Sequence, residues 1–540
     1  MQFNLADLFE SVVDVVSERE ALVCGERRLS FGQLDERANR LAHYLHGRGV
    51  GAGDHVGLHL YNGTEFVEGL LACFKIRAVP VNINYRYVAE ELRYMFDNAD
   101  LVALIHHREF TPIIAELPDC YGKISTLLAV DDDSGADTAT IGSGDYEEAL
   151  AAANPGRGFD ERSGDDIYII YTGGTTGMPK GVMWRHKDVF FAGLQGGNPA
   201  GEPIEKPQDL AELVANNPMP LSFMPVAPFI HGAAQWAVLI ALLGGGKAIL
   251  SHKKSLDARV IWGLVEKEKI NTLTIVGDAM ARPLAEALHE EGASYDISSL
   301  LVISSAGAVF SDSIKERLRA KLDSTMLVDS FGSTEAGHTG SMTASRSMSE
   351  SGHPRFMMGE TVTVLDEDWR PLAPGSGVMG KLARRGYLPV GYYNDPEKTA
   401  ETFREIDGHR WAITGDLASI EEDGTITVFG RGAVCINSGG EKIFPEEVEE
   451  ALKSHAAVAD AIVVGVPDER WGQRVAAVVQ TTGDGRTPLT LEEISSHCRK
   501  VIAGYKVPRQ LHLVEKVARQ PSGKPDYRWA QDVATGGDSE

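Results

Sequence analysis

Twelve residues, Tyr171 to Val182, read YTGGTTGMPKGV and hold the densest phosphate-binding chemistry in the chain. Gly173, Gly174 and Gly177 let the main chain fold tightly and bring its N–H groups close to an anion. Thr172, Thr175 and Thr176 add hydroxyl donors, Pro179 stiffens the exit, and Lys180 adds a mobile positive charge. A triphosphate is the expected guest. The segment is not a Walker A loop, because two residues separate Gly177 from Lys180 and Gly181 stands where Ser or Thr should follow the lysine.

Further segments with chemical potential follow in order. DSFGSTEAG, Asp329 to Gly337, ends a strand in a turn that presents an aromatic ring, hydroxyls and a carboxylate together. Phe331 can stack on a purine, and Glu335 can hold a magnesium ion bridging phosphates, since that hard cation prefers oxygen ligands. In WAITGDL, Asp416 is expected at a tight turn, where its carboxylate accepts hydrogen bonds from ribose hydroxyls; Arg431 lies fifteen residues later, within reach through a hairpin. SSAGA, Ser304 to Ala308, is a small-residue turn suited to an adenine close to backbone. His231, before Gly232, reads equally as a packed core residue or as a substrate contact. Lys524, in the turn PSGKP, draws no meaning from composition alone.

These groups need a framework. At 540 residues the chain exceeds what one hydrophobic core supports, so more than one domain is expected. With 43% hydrophobic and 24% charged residues it has the composition of a globular protein. The net charge of −25 argues against nucleic acid or an anionic membrane surface as the main partner, so any anion is bound locally. Five scattered cysteines without a CxxC pair speak against a disulfide framework or zinc site and for a reducing compartment. The acidic amphipathic start is unlike a signal peptide, and the apolar run from Trp236 to Leu250 is broken at Gly244 to Lys247, too early for a membrane span. The expected location is the cytoplasm.

The fold class is α/β. From Leu5 to about Arg108, helix-like runs alternate with apolar strands, which points to parallel sheets covered by helices. IYII, Ile167 to Ile170, reads as a buried strand feeding the phosphate loop. An acidic loop is expected over Asp131 to Asp145 and a surface excursion, beside a site, from Gly193 to Pro220. Strand and helix patterns resume to Phe331; after Gly359 short alternating strands read as a small antiparallel β subdomain. A compact α+β unit closes the chain. The boundary is set at the turn Gly430-Arg431-Gly432, giving domains 1–431 and 432–540.

The order of these motifs, from YNGTEFVEGLLACFKIRAVPVNIN at Tyr61 to PSGKPDYRWA at Ala530, resembles the adenylate-forming (AMP-binding) superfamily of acyl-CoA synthetases, luciferases and peptide-synthetase adenylation domains. The resemblance implies two-step chemistry: a carboxylic acid and ATP give acyl-adenylate and pyrophosphate, then the thiol of coenzyme A displaces AMP. It implies that Thr172, Gly173, Gly174, Thr175, Thr176, Gly177 and Lys180 form the pyrophosphate loop. The resemblance further implies that Ala306, Gly307, Asp329, Ser330, Phe331, Gly332, Ser333 and Thr334 surround the nucleotide, that Asp416 and Arg431 bind ribose, and that Val428 lies at the adenosine. Glu335 and Thr176 correspond to the Mg2+ site. Lys524 is similar to the lysine that offsets repulsion as an anionic carboxylate attacks an anionic phosphate. Lys524, Glu335 and Thr176 are thus the expected catalytic residues. The family moves its C-terminal domain between half-reactions, and Gly439 and Gly440 resemble its coenzyme A channel. Ala433 and Val434 depart from the usual hinge residues, and Phe331 replaces a more frequent Tyr.

By the same analogy the acid meets His231, Gly232, Gln235, Trp236, Asp278, Ala279, Ala306 and Gly332, with small residues at Ala233, Ala234 and Gly332 leaving room for bulk. The blocks KGVMWRH, APFIHGAAQW, GDAMARPL, CINSGGEKIFPEEVE and AGYKVPR look like the actinobacterial branch that activates steroid side-chain and fatty acids. A bulky or long apolar acid is therefore expected. Rival readings are an adenylation enzyme loading a separate carrier protein, and a non-catalytic nucleotide-binding protein, against which Glu335, Asp416, Arg431 and Lys524 argue. The oligomeric state stays open, a homodimer included.

Overall fold

The computed structural model describes residues 1–540 except 174–177, 200, 308–309, 311, 344–354, 432–435, 444, 483–488, 519–525 and 537–540. Thr175, Thr176 and Lys524 therefore lie outside the described residues, as do Gly174 and Gly177. The described strands form three sheets.

The first, eight-stranded, runs in space as Gly391–Tyr392, Pro179–Arg185, Ile167–Gly173, Val79–Asn82, His55–His59, Leu101–His107, Thr126–Val130 and Gly144–Asp145. Its pairings are parallel from Ile167–Gly173 to the last edge. They turn antiparallel on the other side. The central parallel strands His55–His59 and Val79–Asn82 are buried throughout, as a sheet covered on both faces demands. The acidic segment at 131–145 holds only a short 3-10 turn, Thr138–Ile141, before its edge strand.

The second sheet has fourteen strands among the described residues. Glu20–Cys24, Lys247–Leu250, Ser222–Pro225, Thr272–Ile275, Val302–Ala306 and Met326–Ser333 pair in parallel. From the Met326–Ser333 and Gly337–Thr343 hairpin onward the neighbours are antiparallel. The expected antiparallel subdomain is thus a continuation of the parallel sheet rather than a detached one. Its seam is the hairpin carrying Asp329 to Glu335. Candidate residues gather where parallel strands end, the usual place for ligands on such sheets.

Two local expectations change. Asp416 is not at a tight turn: it lies within the long strand His409–Ile420, where Gly415 takes φ +82°. Gly430 and Arg431 likewise end the strand Ile426–Arg431 rather than form a turn, and Arg431 is the Cα partner of Asp416.

The helix Gly232–Leu243 has His231 as its N-cap residue and is apolar apart from Gln235, as befits a helix buried between the large sheets. The excursion at 193–220 contains a helix, Asp209–Ala215, that packs on the N-terminal helix Leu5–Val16. The third sheet holds Glu441–Ile443, Ile436–Ser438, Gly472–Thr481, Val458–Asp468 and Gln510–Val514. The helices Pro445–Lys453 and Leu491–Cys498 cover one of its faces, and Tyr527–Thr535 covers the other. A capping box between Thr490 and Glu493 fixes the start of the second of these helices.

Candidate functional site

A cavity of about 490 Å³ lies between the face of the second sheet and the helix Gly232–Leu243. Its outer end is rimmed by Thr172, Gly307 and Ser330 to Thr334, and its inner end by Leu221, Phe223, Thr272, Val302 and Ile240. Residues from the C-terminal sheet unit, Gly440, Glu441, Glu447, Tyr505 and Lys506, line its mouth.

The phosphate segment is the hairpin of Ile167–Gly173 and Pro179–Arg185, with Thr172 opposite Lys180 and Gly173 opposite Pro179. A side chain at Gly181 would run into the Tyr171 ring, which explains the glycine there. Lys180 forms an ion pair with Asp395 and is largely covered. Burial works to raise the Asp395 carboxyl, but its bonds to Lys180 and to the Lys398 N–H outweigh that and keep it ionised.

On the hairpin at the sheet seam, Thr334 to Ala336 form the turn. The Ser333 hydroxyl accepts from the Ala336 N–H at 3.2 Å, and Trp184 Nε1 donates to the Thr334 carbonyl at 2.9 Å. Arg384 donates to the Ala336 carbonyl, and burial pulls its guanidinium down to about 10. Glu335 is 7% exposed and accepts a 3.0 Å bond from the Tyr392 hydroxyl. Tyr392 pairs with Val182 of the phosphate hairpin, so it ties the two candidate phosphate elements together.

Phe331 lines the cavity and packs on Phe356 with ring centroids 5.0 Å apart. A narrow cleft connects its surroundings to Asp416, lined by Gly332, Ser333, Thr414 and Arg384. The Thr414 hydroxyl donates to the Asp416 carboxylate at 2.5 Å. Val428 is a buried member of the neighbouring core. Ala306 and Gly307 end their strand at the cavity, and Ser330 bonds Ser304 across 3.0 Å. Asp329 is engaged by the fully buried Lys315 at 2.7 Å.

The expected acyl wall is partly corrected. His231, Gly232, Trp236, Ala306 and Gly332 line the cavity, as does Ala233. Gln235 does not: it is 1% exposed, accepts from the Tyr168 hydroxyl and donates to the Phe229 carbonyl at 2.6 Å, so it braces the core. Ala234 is also fully buried. Gly332 is demanded by the hairpin, since a Cβ there would strike the Gly337 carbonyl. Asp278 and Ala279 lie in the helix Gly277–Leu288, and their side chains are outside the described residues.

At the mouth, Gly440 takes φ +86° and a Cβ would collide with Val276, so glycine permits this close approach. Gly439 precedes it with φ +61°. Burial raises the Glu441 carboxyl, but His231, Arg86 and Lys506 outweigh it and hold the group below the ordinary range. His231 Nε2 stands 3.7 Å from Glu441. Lys506, 4% exposed, donates 2.6 Å bonds to both Glu91 and Glu447. Sequence reasoning missed Lys506, Glu91, Arg86, Tyr392 and Asp395, whose partners are remote in the chain. Among the described residues no cluster of three or more His, Cys, Asp or Glu could hold a metal by itself.

The AMP-binding enzyme family matches residues 9–393, and the AMP-binding enzyme C-terminal domain matches residues 447–524. The chain belongs to the AMP-binding enzyme family. This AMP-binding enzyme is 49% identical to a 3-oxocholest-4-en-26-oate–CoA ligase of Rhodococcus rhodochrous, over 98% of this chain and 96% of the relative. It is 48% identical to a medium/long-chain-fatty-acid–CoA/3-oxocholest-4-en-26-oate–CoA ligase of Mycolicibacterium smegmatis, over 99% and 97%. In fold it is similar to an amide bond synthetase from Marinactinospora thermotolerans, with TM-score 0.78 and 22% identity over 97% of this chain and 99% of that one.

Proposed function

We propose that this AMP-binding enzyme is an ATP-dependent, AMP-forming acyl-CoA synthetase for a bulky or long apolar carboxylic acid, such as a steroid side-chain or fatty acid. The cavity carries this reading: it begins at the Phe331 to Thr334 hairpin and runs inward to an apolar end. Near-full-length relatives named as steroid-acid and fatty-acid CoA ligases support the same class.

In the first step a carboxylate oxygen of the acid attacks the α-phosphorus of ATP, and pyrophosphate leaves. No general base is needed, because the acid is already ionised at neutral pH. We assign the pyrophosphate to the hairpin containing Thr172, Gly173 and Lys180, the adenine to Phe331, and the ribose to Asp416 and Arg431. Lys524 is assigned to the α-phosphate. Mg2+, when bound, would supply charge neutralisation to the phosphates. The Glu335 carboxylate suits that ion as one oxygen ligand, with Thr176 as its proposed companion. In the second step the coenzyme A sulfur, losing its proton, attacks the acyl carbon and AMP leaves; Gly439 and Gly440 are assigned to the pantetheine path.

We divide the chain into units 1–431 and 432–540. The proposed location is the cytoplasm, where ATP and coenzyme A are supplied, and a homodimer is compatible with the reading but not required by it. No described helix is long and apolar enough to cross a membrane. A panel of carboxylic acids assayed for AMP formation with coenzyme A tests the assignment. Turnover is expected with steroid side-chain and long fatty acids; turnover with acetate or aromatic acids alone would overturn the choice of acid.

A further inference from the structure

The inner half of the cavity carries three hydroxyls, those of Thr272, Thr274 and Ser304, on a largely apolar wall. On the strand Thr272–Ile275, Leu273 and Ile275 face a packed core, so Thr272 and Thr274 stand on the opposite face, over the cavity. Phe223 and Val302 flank Thr272 in register, and Ile240 lies across from them on the helix. Ser304, the neighbouring hydroxyl, is paired with Ser330. Neither Thr272 nor Thr274 has a side-chain hydrogen-bond partner among the described residues.

The strand register also gives depth. Val276 marks the nucleotide end, and Thr272 lies four residues inward, roughly 13 Å at about 3.3 Å per residue. Leu221, two residues beyond the Phe223 partner of Thr272, extends the path to roughly 20 Å. An acid that enters from the nucleotide end and spans that depth brings its far end to the level of Thr272. An unsubstituted hydrocarbon there leaves the Thr272 hydroxyl dry and without a partner, whereas an acid with a distal oxygen satisfies it.

Resting on the function proposed above, we propose that Thr272 donates a hydrogen bond to a carbonyl oxygen at the end of the acid remote from its carboxylate. The enzyme thereby selects long apolar acids bearing such an oxygen over otherwise similar acids that lack it. The test compares wild type and Thr272→Val, each with 3-oxocholest-4-en-26-oate and with cholestan-26-oate, which has no ring oxygen. Valine keeps the shape and β-branching of threonine and removes only the hydroxyl. The variant should lose about fivefold to tenfold in kcat/KM on the oxo acid and change little on the unsubstituted acid. Should that variant not fold, Thr272→Ser, which keeps the hydroxyl, must retain the wild-type preference between the two acids. Turnover of both acids by wild type with equal losses in Thr272→Val, or loss of the preference in a folded Thr272→Ser, overturns this inference alone. Turnover of neither acid by wild type overturns this inference, and the parent function falls with it if long fatty acids are not turned over either.

Discussion

Glu335 and Asp416 are carboxylates held nearly out of solvent, and each accepts a hydrogen bond from a neighbouring hydroxyl. For Glu335 that hydroxyl belongs to Tyr392, which is also paired with the phosphate hairpin. Tyr392→Phe keeps the ring but removes the bond, so about 1 kcal/mol of positioning should be lost. We expect a several-fold lower rate of acid-dependent ATP–pyrophosphate exchange, with the melting temperature nearly unchanged; an unchanged exchange rate would show that Tyr392 does not orient Glu335. Lys180 shows a different use of charge. Its pairing with Asp395 ties the ammonium to the start of the helix Pro396–Thr402, a contact that a motif in sequence does not display.

At the scale of elements, the hairpin bearing Phe331 to Glu335 was legible because residue type and spacing encode it. Asp416 was misplaced for a physical reason: a glycine before an acid commonly signals a turn, but here Gly415 absorbs its positive φ inside a continuous strand. Gln235 was misread because its partners, Tyr168 and the Phe229 carbonyl, come together only in the packed core. The contact between the helix Ala89–Asn98 and the C-terminal unit was illegible, since Glu91 and Lys506 are 415 residues apart. Glu447 in that contact is pushed up to about 7 by burial and by Glu91, with Lys506 opposing. A raised carboxyl favours the docked arrangement when protonated. Docking strength is therefore fully present below the ordinary glutamate value and is lost as pH rises through about 7. Tyr87 and Tyr505 also face Lys506, but burial holds both phenols neutral across that window. Hydrogen exchange in Ala89–Asn98, corrected for intrinsic rates, should lose protection across this range in wild type and stay flat in Glu447→Gln; parallel pH profiles would contradict the coupling.

At the scale of the whole molecule, two parallel-sheet systems meet along a buried apolar helix, and the C-terminal unit covers the mouth of the cavity between them. The α/β class and the order of its motifs were readable because alternation and turn chemistry are local properties. The depth of the cavity was not, because it arises from strand faces that only the sheet register aligns. That geometry makes sense of an enzyme that links an acid, a nucleotide and a thiol at one opening. The most direct test is product accounting in a single reaction of the purified enzyme with ATP, coenzyme A and 3-oxocholest-4-en-26-oate. The account predicts AMP, pyrophosphate and the acyl-CoA thioester in equal amounts; ADP and phosphate, or AMP formed without any thioester, would contradict it.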